Sequence, residues 1–159
     1  MDYEIINTAS EWEREGEKLA LAIVVKTWGS SPRQPGSMML IREDGHIVGS
    51  VSGGCVEGAV IVGSKKILQE NHAELMHFGV ADEDAWSVGL SCGGQISVFV
   101  CPLSKIEPDL FQKALKAQES RLSVGIECDL NQGTVSTLEN RLNSEDNFFR
   151  MQIIPKPRL

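Results

Sequence analysis

Apolar and polar positions follow several distinct rhythms along this chain. The stretch LALAIVVKT, Leu19 to Thr27, is almost continuously apolar and rich in β-branched residues, as suits a strand buried on both faces. Before it, Ser10 stands three residues ahead of Glu13, a spacing that predicts a short helix with a capping box. After it, TWGSSPRQPGS holds two prolines and two glycines and interrupts regular structure. MMLI and IVGSV flank the turn REDGH, which predicts a hairpin with Asp44 and Gly45 at positive φ. Val56, Ala59, Val60, Gly63 and Ile67 then recur at helical spacing, predicting a helix from Cys55 to Glu70. Gly63 costs that helix about 1 kcal/mol relative to alanine, so a close packing contact is expected there.

Further on, AELMHF reads as a strand, GVADEDAWSVGLSCGG as a long irregular segment and QISVFV as an alternating strand. EPDLFQKALKAQES is an amphipathic helix with Pro108 near its first turn. RLSVGIECDLNQGTVSTLE reads as a second hairpin turning between Asn131 and Gly133, and NFFRMQII as a last strand. Proline keeps the final PKPRL extended. These elements predict a single α+β domain, a mixed β-sheet with helices packed on it. Residues 1–103 carry its core and its glycine-rich loops, and residues 104–154 complete it with a helix and a hairpin.

Composition narrows the function classes. The 159 residues give room for one domain, with 42% hydrophobic and 23% charged residues, as in a folded chain rather than a disordered one. A net charge of -7 gives no global electrostatic case for nucleic acid or an anionic membrane. The acidic run SEWEREGE, Ser10 to Glu17, reads as a solvated helix face. No segment approaches the roughly 20 apolar residues of a membrane span, and the N-terminus is acidic rather than signal-like, so a cytoplasmic location is expected. Cys55, Cys92, Cys101 and Cys128 show no CxxC spacing and no matching histidine pair, which argues against a zinc site. In a reducing compartment they are free thiols.

Twelve of the 15 glycines lie between Gly29 and Gly94, whereas the hairpin-rich C-terminal third has two. Turns alone do not explain that density. Three small-residue clusters, TWGSSPRQPGS, GSVSGGCVEG and GLSCGG, point to a binding site in which backbone N–H groups approach a ligand. Ser52, Gly53 and Gly54 precede the predicted helix, where unsatisfied amides and the positive end of the macrodipole suit a phosphate or other anion. Neither a Walker motif nor a GxGxxG is present. Cys55 stands at the helix start, where the dipole stabilises a thiolate, and Cys92 precedes Gly93 and Gly94. Both are candidate ligand contacts, whereas Cys101 and Cys128 sit in strand patterns and read as small hydrophobes. Arg33, held between Pro32 and Pro35, is a stiff cation suited to an anionic ligand. Glu57 is explained by its place in a helix first turn, and His46, His72 and His77 have no partner spacing.

With those residues in view, VVKTWGSSPRQPGSMMLIREDGHIVGSVSGGCVEG and FGVADEDAWSVGLSCGGQISVFVCPL resemble the N-terminal domain of the XdhC/CoxI family, over about residues 20 to 103. That family matures molybdenum hydroxylases such as xanthine dehydrogenase. The resemblance implies that molybdenum cofactor (a molybdopterin) is bound as cargo, is sulfurated with help from a cysteine desulfurase, and passes to an apo molybdenum hydroxylase. It carries the cofactor site onto Ser52, Gly53, Gly54 and Cys55, and onto Cys92, Gly93 and Gly94, with Cys55 or Cys92 as candidate molybdenum contacts. Longer members continue into a Rossmann-like domain, and residues 155–159 resemble the linker toward it. A separate Rossmann-like chain, or a second copy of this one, is therefore an expected partner.

A cofactor carrier without a turnover reaction of its own is the leading reading. One alternative is a thiol-dependent sulfur-transfer or redox protein with Cys55 as nucleophile, although no partner base is evident in the sequence. Another is an adaptor domain that docks a separate Rossmann-like chain.

Overall fold

The computed structural model describes residues 2–28, 34–51, 56–79, 95–138 and 148–153. Helix α1 (Asp2–Arg14) starts well before the predicted cap, and Ser10 is buried inside it. The stripe Ile5, Ile6, Ala9 and Trp12 decides its extent, and this helical period outweighs the local Ser10–Glu13 spacing. The acidic run closes the helix with Glu11, Arg14, Glu15 and Glu17 exposed, as a solvated face should. Gly16 ends it at φ 75°, donating its N–H to the Glu13 carbonyl while Glu17 N–H reaches the Trp12 carbonyl.

Five strands form the main sheet: β1 (Leu19–Trp28), β2 (Met38–Arg42), β3 (Ile47–Gly49), β4 (Glu74–Phe78) and β5 (Gln95–Pro102). Their order is β3-β2-β1-β5-β4, and every neighbouring pair is antiparallel. The apolar run of β1 is buried on both faces, as its sequence predicts. Leu19, Leu21 and Ile23 join one core cluster, and Ala20, Ala22 and Val24 join the other. Helix α2 (Glu57–Glu70) covers the alanine side with Val60 and Ile67, and Gly63 is buried on the same helix.

The opposite face carries α1, α3 (Leu110–Glu119) and a second sheet. That sheet, β7-β6-β8, consists of β6 (Val124–Asp129), β7 (Thr134–Thr137) and β8 (Phe148–Ile153), again antiparallel. The α+β class is the one the sequence predicts, and the pairing is more specific than a single mixed sheet. Short turns join β2 to β3 and β6 to β7, which sets those neighbours antiparallel. The parallel component among the described residues is one bridge, Ile106 to Val135.

The β2–β3 turn differs from the predicted pair of positive-φ residues. Gly45 alone has positive φ, at 93°, and closes a three-residue loop in which Arg42 N–H meets the His46 carbonyl at 2.9 Å. Asp44 instead accepts the Arg42 guanidinium at 3.0 and 2.8 Å and His46 N–H at 3.1 Å. The second hairpin turns where predicted. Asp129 Oδ1 accepts Asn131 N–H at 3.1 Å and Gln132 N–H at 3.0 Å, and Gly133 has φ 73°.

Candidate functional site

The register of the main sheet brings the flanks of all three small-residue clusters to one end of the molecule. Trp28, the last residue of β1, pairs with Gln95, the first of β5, and Phe78 at the end of β4 pairs with Ile96. At the same end β2 begins at Met38, and Ser50 N–H, just past β3, donates to the Met38 carbonyl at 3.1 Å. Residues 28, 51 and 79 thus lead out of this end, and residues 34, 56 and 95 lead back in. Helix α2 has its N-terminus there too, with Val56 at the cap position.

Every residue assigned to the site from sequence lies in the intervening segments, outside the described residues: Arg33, then Ser52, Gly53, Gly54 and Cys55, then Cys92, Gly93 and Gly94. What the described residues define is the frame from which those segments leave. Two parts of that frame are not legible as such in the sequence.

The first is Glu57. Its carboxylate Oε1 accepts Ser50 Oγ–H at 2.6 Å and Val51 N–H at 3.2 Å. Residues on both sides of the 52–55 segment are thereby tied together by one side chain. The same carboxylate places a negative charge in the first turn of α2, which offsets the positive end of the helix dipole. Attraction of an anion to this end therefore needs cationic side chains as well as helix amides. Gly49 precedes the clasp at φ 90°, and a Cβ there would collide with the Met38 carbonyl oxygen and come within 2.9 Å of Ile5 Cδ1.

The second is a polar row two residues in from the Trp28–Gln95 pair. Lys26 pairs with Ser97, and Ser97 pairs with His77. Ser97 is buried, and its Oγ lies 2.7 Å from His77 Nδ1. Sequence spacing does not reveal this partner for His77, because it depends on the register of β4 on β5. A bulge between Val24 and Lys26 adjusts β1 just before the row, where Gly36 N–H donates to the Val24 carbonyl at 2.7 Å.

Cys101 and Cys128 behave as the strand patterns predict. Both are fully buried free thiols. Burial pushes the Cys101 thiol up to about 12, against a smaller downward pull from Lys105. The Cys128 thiol is raised further by burial, reinforced by Cys101 and Glu127. Neither is suited to nucleophilic work. Among the described residues no three His, Cys, Asp or Glu side chains are grouped to hold a metal ion, and no helix is long and apolar enough to cross a membrane.

Comparison with known proteins agrees with the resemblance read from the glycine and cysteine blocks. An uncharacterised protein of Escherichia coli, YqeB, is 42% identical over 96 residues, 60% of this chain and 18% of YqeB. The molybdenum cofactor insertion chaperone PaoD of Escherichia coli is 31% identical over 126 residues, 79% of this chain and 38% of PaoD. A probable xanthine dehydrogenase subunit of Bacillus subtilis is 26% identical over 170 aligned positions, 90% of this chain and 52% of that protein. The chain therefore spans about half or less of these relatives. A crystal structure described as a xanthine dehydrogenase from Bacillus halodurans superposes with a TM-score of 0.74 at 26% identity, covering 98% of this chain and 53% of that one. The model of the XdhC and CoxI family matches residues 12–79, a span that runs from α1 through β4 and includes the GSVSGGCVEG cluster.

Proposed function

We propose that this chain binds molybdenum cofactor at the glycine-rich end of the main sheet and delivers it during maturation of a xanthine dehydrogenase-like molybdenum hydroxylase. The observation that carries the reading is the convergence at one sheet end of the flanks of all three small-residue clusters. The family match over residues 12–79 and the likeness to a cofactor insertion chaperone support the choice of ligand. In this reading Ser52, Gly53, Gly54, Gly93 and Gly94 offer backbone amides to the cofactor phosphate, and Arg33 balances its charge. Cys55 and Cys92 face the dithiolene and metal end. A cysteine desulfurase supplies the terminal sulfur, the apo-hydroxylase receives the product, and a Rossmann-like chain or a second copy completes the assembly in the cytoplasm.

The test is an anaerobic titration of the chain with molybdenum cofactor, beside the Cys55→Ala and Cys92→Ala variants. Saturable binding near one per chain, weakened in either variant, is the expected result. Undiminished affinity in both variants would remove the thiols from the site. Absence of binding by the unaltered chain would overturn the carrier reading in favour of an adaptor.

A further inference from the structure

The opposite end of the main sheet holds a cavity of about 350 Å³. It opens where the C-terminal ends of α1 and α2 meet the start of β1 and the end of β5, and so lies away from the glycine-rich end. Its size falls at the lower end of small-ligand pockets. Leu19, Leu68, Pro102 and Leu103 give it an apolar wall, and Glu13 and Glu17 give it acid.

Glu13 is the informative residue. Its Oε1 is buried from solvent and has no hydrogen-bond partner among the described residues. An unpaired buried acceptor costs about 1–3 kcal/mol, more when charged, so a native structure that retains one invites a partner. Burial, with a smaller contribution from Asp109, raises the Glu13 carboxyl above its ordinary range, and a cation seated beside it would relieve both. Lys18 is the one base in the lining, yet its side chain makes no ion pair with Glu13 among the described residues. Two helix C-termini, each with a partial negative charge, add to the preference for a cation. The start of α3 comes near as well, but it carries Asp109 at its cap.

We propose that this cavity binds an aliphatic cation, a primary ammonium or guanidinium on a short apolar stem, with the head on the Glu13 carboxylate, turned toward the cavity, and the stem along Leu68 and Leu103. The same chemistry is presented by a free alkylamine or alkylguanidine and by a lysine or arginine side chain of a partner protein. This site is independent of the cofactor reading, since it shares no residue with the glycine-rich end.

The experiment is calorimetric titration of the full chain with n-butylguanidinium and n-butylammonium, with neutral n-butylurea as control. A tripeptide carrying a single central arginine serves as the protein-source arm. Saturable binding of the cations, and weakening by about ten- to a hundredfold in Glu13→Gln, is expected for the loss of one charge-assisted hydrogen bond. In the unaltered chain, amide chemical shifts should move at Gly16, Leu68, Asn71 and Leu103. Tighter binding of the peptide than of butylguanidinium would assign the source to a partner's side chain, and binding of the free cation alone would assign it to a small molecule. Equal binding of butylurea, shifts confined to other residues, unchanged affinity in a folded Glu13→Gln, or no saturation up to about 10 mM would overturn the proposal.

Discussion

Replacing Glu57 with alanine removes a side chain that ties Ser50 and Val51 to the first turn of α2. The loss can be sized from its parts. Val51 is fully buried, so its N–H cannot readily recover a hydrogen bond from water, and Ser50 is half-buried. A hydrogen bond to a charged acceptor contributes about 1.5–3 kcal/mol, and a first-turn carboxylate adds about 0.3–1 kcal/mol through the helix dipole. Allowing for relaxation of the half-buried partner, Glu57→Ala is expected to destabilise the fold by about 2–3 kcal/mol. With a urea m-value of about 2 kcal/mol/M, the unfolding midpoint should fall by about 1–1.5 M. Glu57→Gln keeps an acceptor oxygen but loses the charge, so its midpoint should fall only about 0.5 M. If the alanine midpoint lay within about 0.2 M of the parent, or glutamine were as damaging as alanine, the clasp would be wrong.

Other outcomes follow from the same geometry. Gly49→Ala should destabilise by at least about 2 kcal/mol, since it combines a strained φ with a backbone collision; a urea midpoint near the parent's would refute this. Ser97→Ala should cost about 1 kcal/mol by removing the bond to His77, and the His77 ring resonances should shift in its NMR spectrum. Iodoacetamide at neutral pH should leave Cys101 and Cys128 unlabelled in the folded chain and modify both in urea, because both thiols are buried and raised. Thiol pKa values above the unfolded value also set a sign: their stability contribution is complete below about pH 9 and is lost as pH rises toward 12. Urea midpoints should therefore fall on the alkaline side, and less steeply in Cys101→Ala.

Much of the fold can be read from periodicity. The run from Leu19, the strands at Met38, Glu74 and Gln95, and the helix ending at Glu70 all appear where the pattern puts them. The polar Ser10–Glu13 spacing misplaces the start of α1, because four apolar residues beginning at Ile5, three of them ahead of that serine, carry more weight. The single positive φ at Gly45 escapes the turn pattern because the loop has three residues rather than two, and only the last of them takes the left-handed conformation. For the candidate site, residue types and spacing point to the glycine clusters, but only register shows that their flanks share one end of the sheet. Glu57 is legible as a first-turn acid and no further, since its partners depend on where β3 ends. His77 and Ser97 are 20 positions apart, and nothing local links them.

A sheet covered on both faces constrains the glycine-rich end more than its loops suggest. Ala20 and Ala22 present small side chains to the face under α2, and Gly63 presents none from the helix. Gly63 is buried between Val60 and Ile67 on the packed side of the helix. The position of α2 is then fixed by its packed face, with Val60 and Ile67 spaced two turns apart along it. Its first turn is fixed with it, and Glu57 transmits that position to Ser50 and Val51. Residues 51 and 56, from which the 52–55 segment leaves, are thereby set by a sheet edge and a packed helix. That frame rests on apolar and small residues in the core, Ala20, Ala22, Val60, Gly63 and Ile67 among them.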